Sequence, residues 1–215
     1  MYLPEAFKED DIGVLAAFIR DHPFATLVSL GGDDLIATHL PMLWDAEPAP
    51  FGTLTGHIAR PNPHGREAHA AVDSLAIFLG PQAYVSPSWY PAKREHGKVV
   101  PTWNYVAVHA YGPLTMIDDA DWLRRFVTRL TEIQERGVAD PWHVSDAPEP
   151  FVAQMVKGIV GLEIPIRRLE GKWKLSQNRS AADFAGTIAG LEARGTPDAA
   201  AVADAMTVWR REGPG

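Results

Sequence analysis

The sequence predicts a mainly β fold with helical decoration, an antiparallel barrel of the α+β class. Three observations point there. Short runs of alternating or apolar residues recur between turn residues, few strand–helix–strand alternations occur, and capped helices are inserted between the runs. In chain order, Lys8–His22 predicts a helix, with Ile12, Leu15, Phe18 and Ile19 as its stripe and Pro23 after its end. FATLVSL and LIATHLPMLW predict two strands around the turn Gly31–Asp34. GTLTGHIA is the next strand, and ARPNPHGREAHA turns into a short helix. SLAIFLGP is largely apolar and predicts a buried strand, and Val99–Ile117 reads as extended with a bulge or bend at Gly112-Pro113.

The second half carries the clearest helix, Asp118–Arg136. Asp118 or Asp119 can cap it, Trp122, Phe126, Leu130 and Ile133 form one face, and Gly137 stops it. Phe151–Lys157 predicts a short helix, and IVGLEIPIRRLEGKWKLS predicts a hairpin turning at Glu170-Gly171. Two helices close the chain. Ala181–Arg194 is stopped by Gly195, and Pro197–Arg211 is capped by Thr196. The expected organisation is one domain over 1–215 with a helical extension at about 179–215.

Composition narrows the function. With 46% hydrophobic and 22% charged residues, the 215-residue chain can bury a sizeable core. No cysteine is present, which removes disulfides and thiolate metal sites and suits a reducing cytoplasm. The acidic start MYLPEAFKEDD is not that of a signal peptide, and no apolar run is long enough to span a bilayer, so a soluble cytoplasmic protein is expected. A net charge of -7 argues against a protein devoted to gripping nucleic acid. KREHGK and IRRLEGKWK are the basic stretches, with a solvated loop and a hairpin as their plainer readings.

Motifs for familiar chemistries are missing. No HExxH, GxSxG, phosphate loop of the Walker type or GxGxxG occurs, and no metal site is expected from the histidines at 39, 57, 64, 69 and 109. Two stretches are more suggestive. GHIARPNPH leaves a strand with His57 and Arg60 and turns through Asn62 into a helix start, where an arginine and free N–H groups suit a phosphate. A surface cation and a helix cap explain the same residues equally well. KLSQN, Lys174–Asn178, offers side chains suited to a polar ring or a phosphate, or a plain strand end with capping residues.

The stretch Val85–Tyr105 crowds Trp89, Tyr90, Trp103 and Tyr105 among three prolines, which is awkward for a simple core. YVSPSWY, VVPTWNY and VHAYG, together with ATHLP (Ala37–Pro41), GHIARPNPH and KLSQN in this order, resemble the PaiB-like FMN-binding proteins, described as negative transcriptional regulators. The resemblance covers about Met1 to Asn178. It implies an FMN-binding split β-barrel, related in fold to pyridoxamine-phosphate oxidases, working as a homodimer with two FMN molecules at the subunit interface. On that resemblance, main-chain groups near Thr38, His39 and Leu40 meet the flavin's pyrimidine edge, and His57, Arg60 and Asn62 hold its phosphate. Trp103 and Asn104 close the site, and Lys174, Gln177 and Asn178 complete its rim. The aromatics of Val85–Tyr105 then belong to the dimer seam and the flavin ring. Three functions follow as expectations. The first is a flavin-bound regulator acting without direct DNA contact, and the second is a flavin-dependent oxidoreductase of unreadable substrate. The third is a haem-handling relative with His57 or His109 as ligand.

Overall fold

The computed structural model describes residues 1–48, 50–69 and 71–212; the end of the expected extension, 213–215, lies outside the described residues. The chain divides into two compact units. One gathers Met1–Leu15, Leu79–Val108 and Glu170–Gly215, and the other gathers Ala16–Phe78 and His109–Leu169.

The second unit is built on antiparallel strands. β2 (Phe24–Gly31) and β3 (Asp34–Asp45) form a hairpin closed by Gly31↔Asp34, with Gly32 at φ +57° at the first turn position. β4 (Thr53–Ala59) follows β3, then β8 (Ile159–Pro165) and β7 (Thr115–Ile117), while the start of β5 (Ser74–Val85) pairs with β2 through Leu75–Ile77. Alternation puts Ala25, Leu27, Leu40, Met42, Leu54 and Ile58 into the core. α4 (Ala120–Gln134) starts where Asp119 accepts a hydrogen bond from the Trp122 N–H at 2.7 Å. Its Leu123 joins Val144, Val152 and Val156, the last two from α5 (Glu149–Lys157), in a separate apolar cluster.

In the first unit, β1 (Lys8–Glu9) pairs with β9 (Arg168–Lys174), and β6 (Thr102–Gly112) lies on the other side of β9. α6 (Ala181–Arg194) is capped by Ser180 and ends at Gly195, φ +68°. It packs on α7 (Pro197–Glu212), burying Phe184, Leu191, Val202 and Met206. The expected extension at 179–215 is thus, over its described residues, part of this unit's core.

Three expectations need correction. The segment expected to open a helix at Lys8 begins as β1, and α1 is only Ile12–Asp21. Glu170-Gly171 is not a turn, because both residues lie inside β9, which begins at Arg168 after the two residues Ile166–Arg167 that follow β8. A Cβ on Gly171 would sit 2.2 Å from Leu15 Cδ2 and 2.9 Å from the Glu9 carbonyl oxygen, so this glycine serves close approach rather than bending. Nor do β8 and β9 form the expected hairpin, since β8 pairs with β4 and β7, and β9 with β1.

The aromatics of Val85–Tyr105 have unlike surroundings. Tyr90 is 1% exposed, with Arg179 stacked 5.0 Å from its ring centre, and Trp89 lies under α6. These two seat a helix. Among the described residues, no helix is long and apolar enough to cross a membrane.

A sign reversal tests the seat. Gly→Ala in an exposed helix interior stabilises by about 0.5–1 kcal/mol. At Gly190 the new Cβ would stand 2.2 Å from the Trp89 indole. Gly190→Ala should therefore destabilise by about 1–3 kcal/mol in urea unfolding, and a stabilised variant would remove Trp89 from this role.

Candidate functional site

The site begins with the parity of β3. Met42 donates its N–H to the Pro23 carbonyl at 2.8 Å, and the hairpin closes on Gly31↔Asp34. In an antiparallel ladder, hydrogen-bonded pairs alternate with non-bonded ones. Both ends therefore place Asp34, Ile36, Thr38, Leu40 and Met42 in bonded pairs, with their main-chain groups turned toward β2. Those of Leu35, Ala37 and His39 turn the other way. Strand β4 pairs with β3 only from Met42↔Gly56 to Asp45↔Thr53, then continues along β8. Among the described residues, no strand lies against the far edge of β3 at Ala37 and His39. Pro41 has the same parity, so its missing N–H costs no bond to β2.

This bears on ATHLP. Of Thr38, His39 and Leu40, only His39 turns its main-chain groups away from β2 toward the far edge of β3. The side chains divide in the complementary way. Leu40 is 3% exposed in the core, and Thr38 turns inward. His39 lies on the outer face, where its Nδ1 is 3.0 Å from Thr26 Oγ1 and its ring stacks beside Phe24.

Asn62 and Thr38, separate motifs in the sequence, do meet. The Asn62 Oδ1 accepts the His64 N–H at 3.0 Å, which turns its Nδ2 to donate to Thr38 Oγ1 at 3.2 Å. Thr38 Oγ1 is 3.0 Å from Nδ1 of His64, whose Nε2 is 2.8 Å from Ser29 Oγ, itself 2.6 Å from Ser74 Oγ. His64 is fully buried at the start of α2 (His64–Glu67) and ties β2, β3 and β5 together. Burial holds its imidazole below the ordinary histidine range. Sequence reading weighed His64 only as a metal ligand; nothing local signals two hydroxyl partners on two strands, with a third strand's Ser74 behind Ser29.

His57 and Arg60 do not join this group. The His57 ring turns toward α4, edge-on to Phe126 at 5.5 Å, and its buried Nδ1 has no hydrogen-bond partner among the described residues. Burial lowers its pKa too. The Arg60 guanidinium donates from Nε to the Lys157 carbonyl at 2.8 Å and from Nη2 to the Ile159 carbonyl at 2.9 Å. It also grips both Asp118 oxygens, at 3.0 and 2.8 Å. Four of its five N–H groups are used. Its main-chain N–H goes to the Gly158 carbonyl, so Arg60 closes the C-terminal end of α5. Asp118 is held below the usual carboxylate range by the same contact. As a phosphate anchor, the role the sequence suggested, Arg60 is already committed.

The remaining residues belong to the first unit. Trp103 is half-exposed on β6, donates to Gln82 at 2.7 Å and meets Tyr84 edge-on. Asn104 is fully buried and accepts from Ser176 Oγ at 3.0 Å. Lys174 donates to Thr102 Oγ1 at 2.6 Å and to the Trp103 carbonyl at 2.5 Å. Burial first, then Lys172 and Arg179, hold Lys174 below the usual lysine range. Gln177 folds back onto its own chain, accepting from the Leu175 N–H at 2.7 Å and donating to the Trp173 carbonyl. Asn104, Lys174 and Asn178 share one small cavity, while Gln177 borders a different one.

Residues 1–168 match the family model described as "Putative FMN-binding domain". The chain is 35% identical over 206 residues to the Protease synthase and sporulation protein PAI 2 of Bacillus subtilis, spanning 96% of each. The FAD and heme binding protein from Mycobacterium smegmatis shares the fold at TM-score 0.58 and 13% identity, over 88% of this chain and 80% of that one. The flavocytochrome Anf3 from Azotobacter vinelandii does so at TM-score 0.53 and 14% identity, over 83% and 75%. The fold is thus the expected antiparallel split barrel with helices.

The buried histidines generate a pH prediction. A histidine whose folded pKa lies below its unfolded value, near 6.5, binds fewer protons folded than unfolded. Its stabilising contribution is whole above pH 6.5 and declines as pH falls toward the lowered folded pKa. Urea unfolding should show a less stable protein at pH 5.5 than at pH 7.5, with a smaller difference in His64→Gln. An unchanged difference in that variant would mean that His64 is not held neutral.

Proposed function

The chain belongs to the FMN-binding family matched by residues 1–168, and from that premise we propose that its flavin lies along the open edge of β3 in a homodimer. The observation that carries this is the main chain of Ala37 and His39, which faces away from β2 and meets no strand among the described residues. A flat heterocycle with alternating donors and acceptors on its pyrimidine edge suits a strand edge that presents both, as an added strand would. Asn62 and Thr38, joined to each other and to His64, are polar side chains at this stretch of β3. When bound, FMN supplies two-electron redox chemistry. The chain's own residues orient it and shield one of its faces.

The same strands supply the dimer surface. Phe24 and Leu35 are 67% and 70% exposed, and Val28, Leu30, Leu75 and Ile77 share their side of the sheet. So large an apolar sheet face fits a second copy of the chain related by a two-fold axis. Trp103 and Tyr84 are offered as further partner-facing aromatics. We retain the reading of one flavin-binding domain, located in the cytoplasm.

For a regulatory role, we place the action upstream of DNA. Arg167 pairs with Asp73, Arg168 stacks over Tyr111, and Lys172 is buried against the Tyr2 carbonyl. Of these, Lys172 is buried while Arg167 and Arg168 stay at the surface, so it is chiefly the net charge of -7 that weighs against a grip on DNA phosphates.

Proline substitutions test the flavin reading. Ala37→Pro and His39→Pro each delete an N–H that faces away from β2, so both should fold, yet weaken FMN by about 0.5–1.5 kcal/mol, roughly two- to tenfold in Kd. Thr38→Pro instead deletes a ladder bond and should cost about 1–3 kcal/mol of stability. His39→Ala, which keeps its main chain, serves as the control. Unchanged FMN affinity in both edge prolines would defeat this placement. Separately, Leu35→Glu should convert the protein from twice 23.5 kDa to a single chain in light scattering; a dimer that persists would move the interface elsewhere.

A further inference from the structure

A small cavity of about 120 Å³ in the first unit has no assigned occupant. Its polar lining is Thr102, Asn104, Lys174, Ser176, Asn178 and Arg179. Two of these are cations, and no carboxylate stands among the lining residues. Lys172, two positions from Lys174 on the same side of β9, adds a third positive charge and is itself turned toward the Tyr2 and Tyr105 rings. Gathering like charges around a partly enclosed space is unfavourable unless something negative enters it.

The lining is also held in place. Lys174 is tethered through two hydrogen bonds, to Thr102 and the Trp103 carbonyl, leaving one ammonium N–H for a ligand. Asn104 and Ser176 are buried and bonded to each other, which fixes the floor. Ser176 holds φ +65°, the only left-handed non-glycine residue among those described. Such a conformation costs about 1–3 kcal/mol and persists where the surroundings enforce it, often at ligand sites. The turn closes as the Arg179 N–H reaches the Ser176 carbonyl at 3.0 Å, bringing Asn178 and Arg179 to the cavity mouth. The volume equals about four waters' share of liquid, enough for a tetrahedral oxyanion and far too little for a flavin ring.

We propose that this cavity is an oxyanion site, selective for a phosphate group and built by Lys174, Arg179 and Asn178 on the Asn104–Ser176 floor. The phosphate could arrive free or as the terminus of a phosphomonoester such as FMN, and the chemistry of recognition is the same. This assignment does not rest on the flavin placement along β3.

The test titrates inorganic phosphate into full-length protein and follows the phosphorus line width. Wild type should bind saturably. Lys174→Gln should weaken binding at least tenfold, and so should Asn178→Asp, which changes an exposed residue and so spares the fold. Competition then separates the sources. If FMN displaces phosphate and riboflavin does not, the site seats the cofactor's phosphate. If phosphate binds FMN-saturated protein undiminished, the site serves a second ligand. Either result supports the proposal. Absence of saturable binding to wild type, or equal binding by wild type and Asn178→Asp, overturns it, whether or not FMN binds.

Discussion

The alternation of an antiparallel strand governs the candidate site. Successive residues of β3 send their main-chain groups to opposite edges, and β2 satisfies one edge from Gly31 to Phe24. The other edge is satisfied by β4 only as far as Met42. Because β4 then follows β8 instead, the stretch before Met42 keeps a free edge without losing its place in the sheet. A polar edge exposed in this way is ordinarily a liability; here it lies beside an ordered polar cluster and is the surface proposed for the flavin.

That cluster illustrates what buried polarity does. His64 lies among Thr38, Ser29 and Asn62, and each of its polar groups has a partner. A network satisfied throughout can specify one arrangement of three strands, whereas a half-satisfied one would be costly. Arg60 performs a related service at the end of α5, where its fork and main chain collect three consecutive carbonyls and the Asp118 carboxylate. The pair is solvent-exposed, so its value lies in geometry more than in Coulomb energy.

In the first unit, the comparable constraint is close approach. Gly186 and Gly190 let α6 settle on Trp89, and Gly171 lets β9 lie against Leu15 and β1. Tyr90, buried beneath Arg179, completes the seat. The proline-rich aromatic stretch that looked unsuited to a core is therefore mixed, with Tyr90 buried, Trp89 and Tyr105 half-buried, and Trp103 exposed.

The sequence by itself determined the fold class, the β2–β3 hairpin, α4 with its Asp119 cap, the closing helices and the FMN-binding family, because these depend on periodicity, turn chemistry and the order of motifs. It could not tell that the strand break falls at Ile166–Arg167 and not at the glycine at 171, since a glycine reads alike whether it bends the chain or admits a neighbour. It also grouped residues by adjacency. Thr38, His39 and Leu40 are contiguous, yet strand parity gives them different edges and faces. His57, Arg60 and Asn62 are near in sequence, yet one turns to α4, one closes α5, and only Asn62 reaches β3. Those assignments were decided by tertiary structure, because a side chain's role follows from which distant carbonyls and rings the packing brings within hydrogen-bond reach, and that distance is not written in the local sequence.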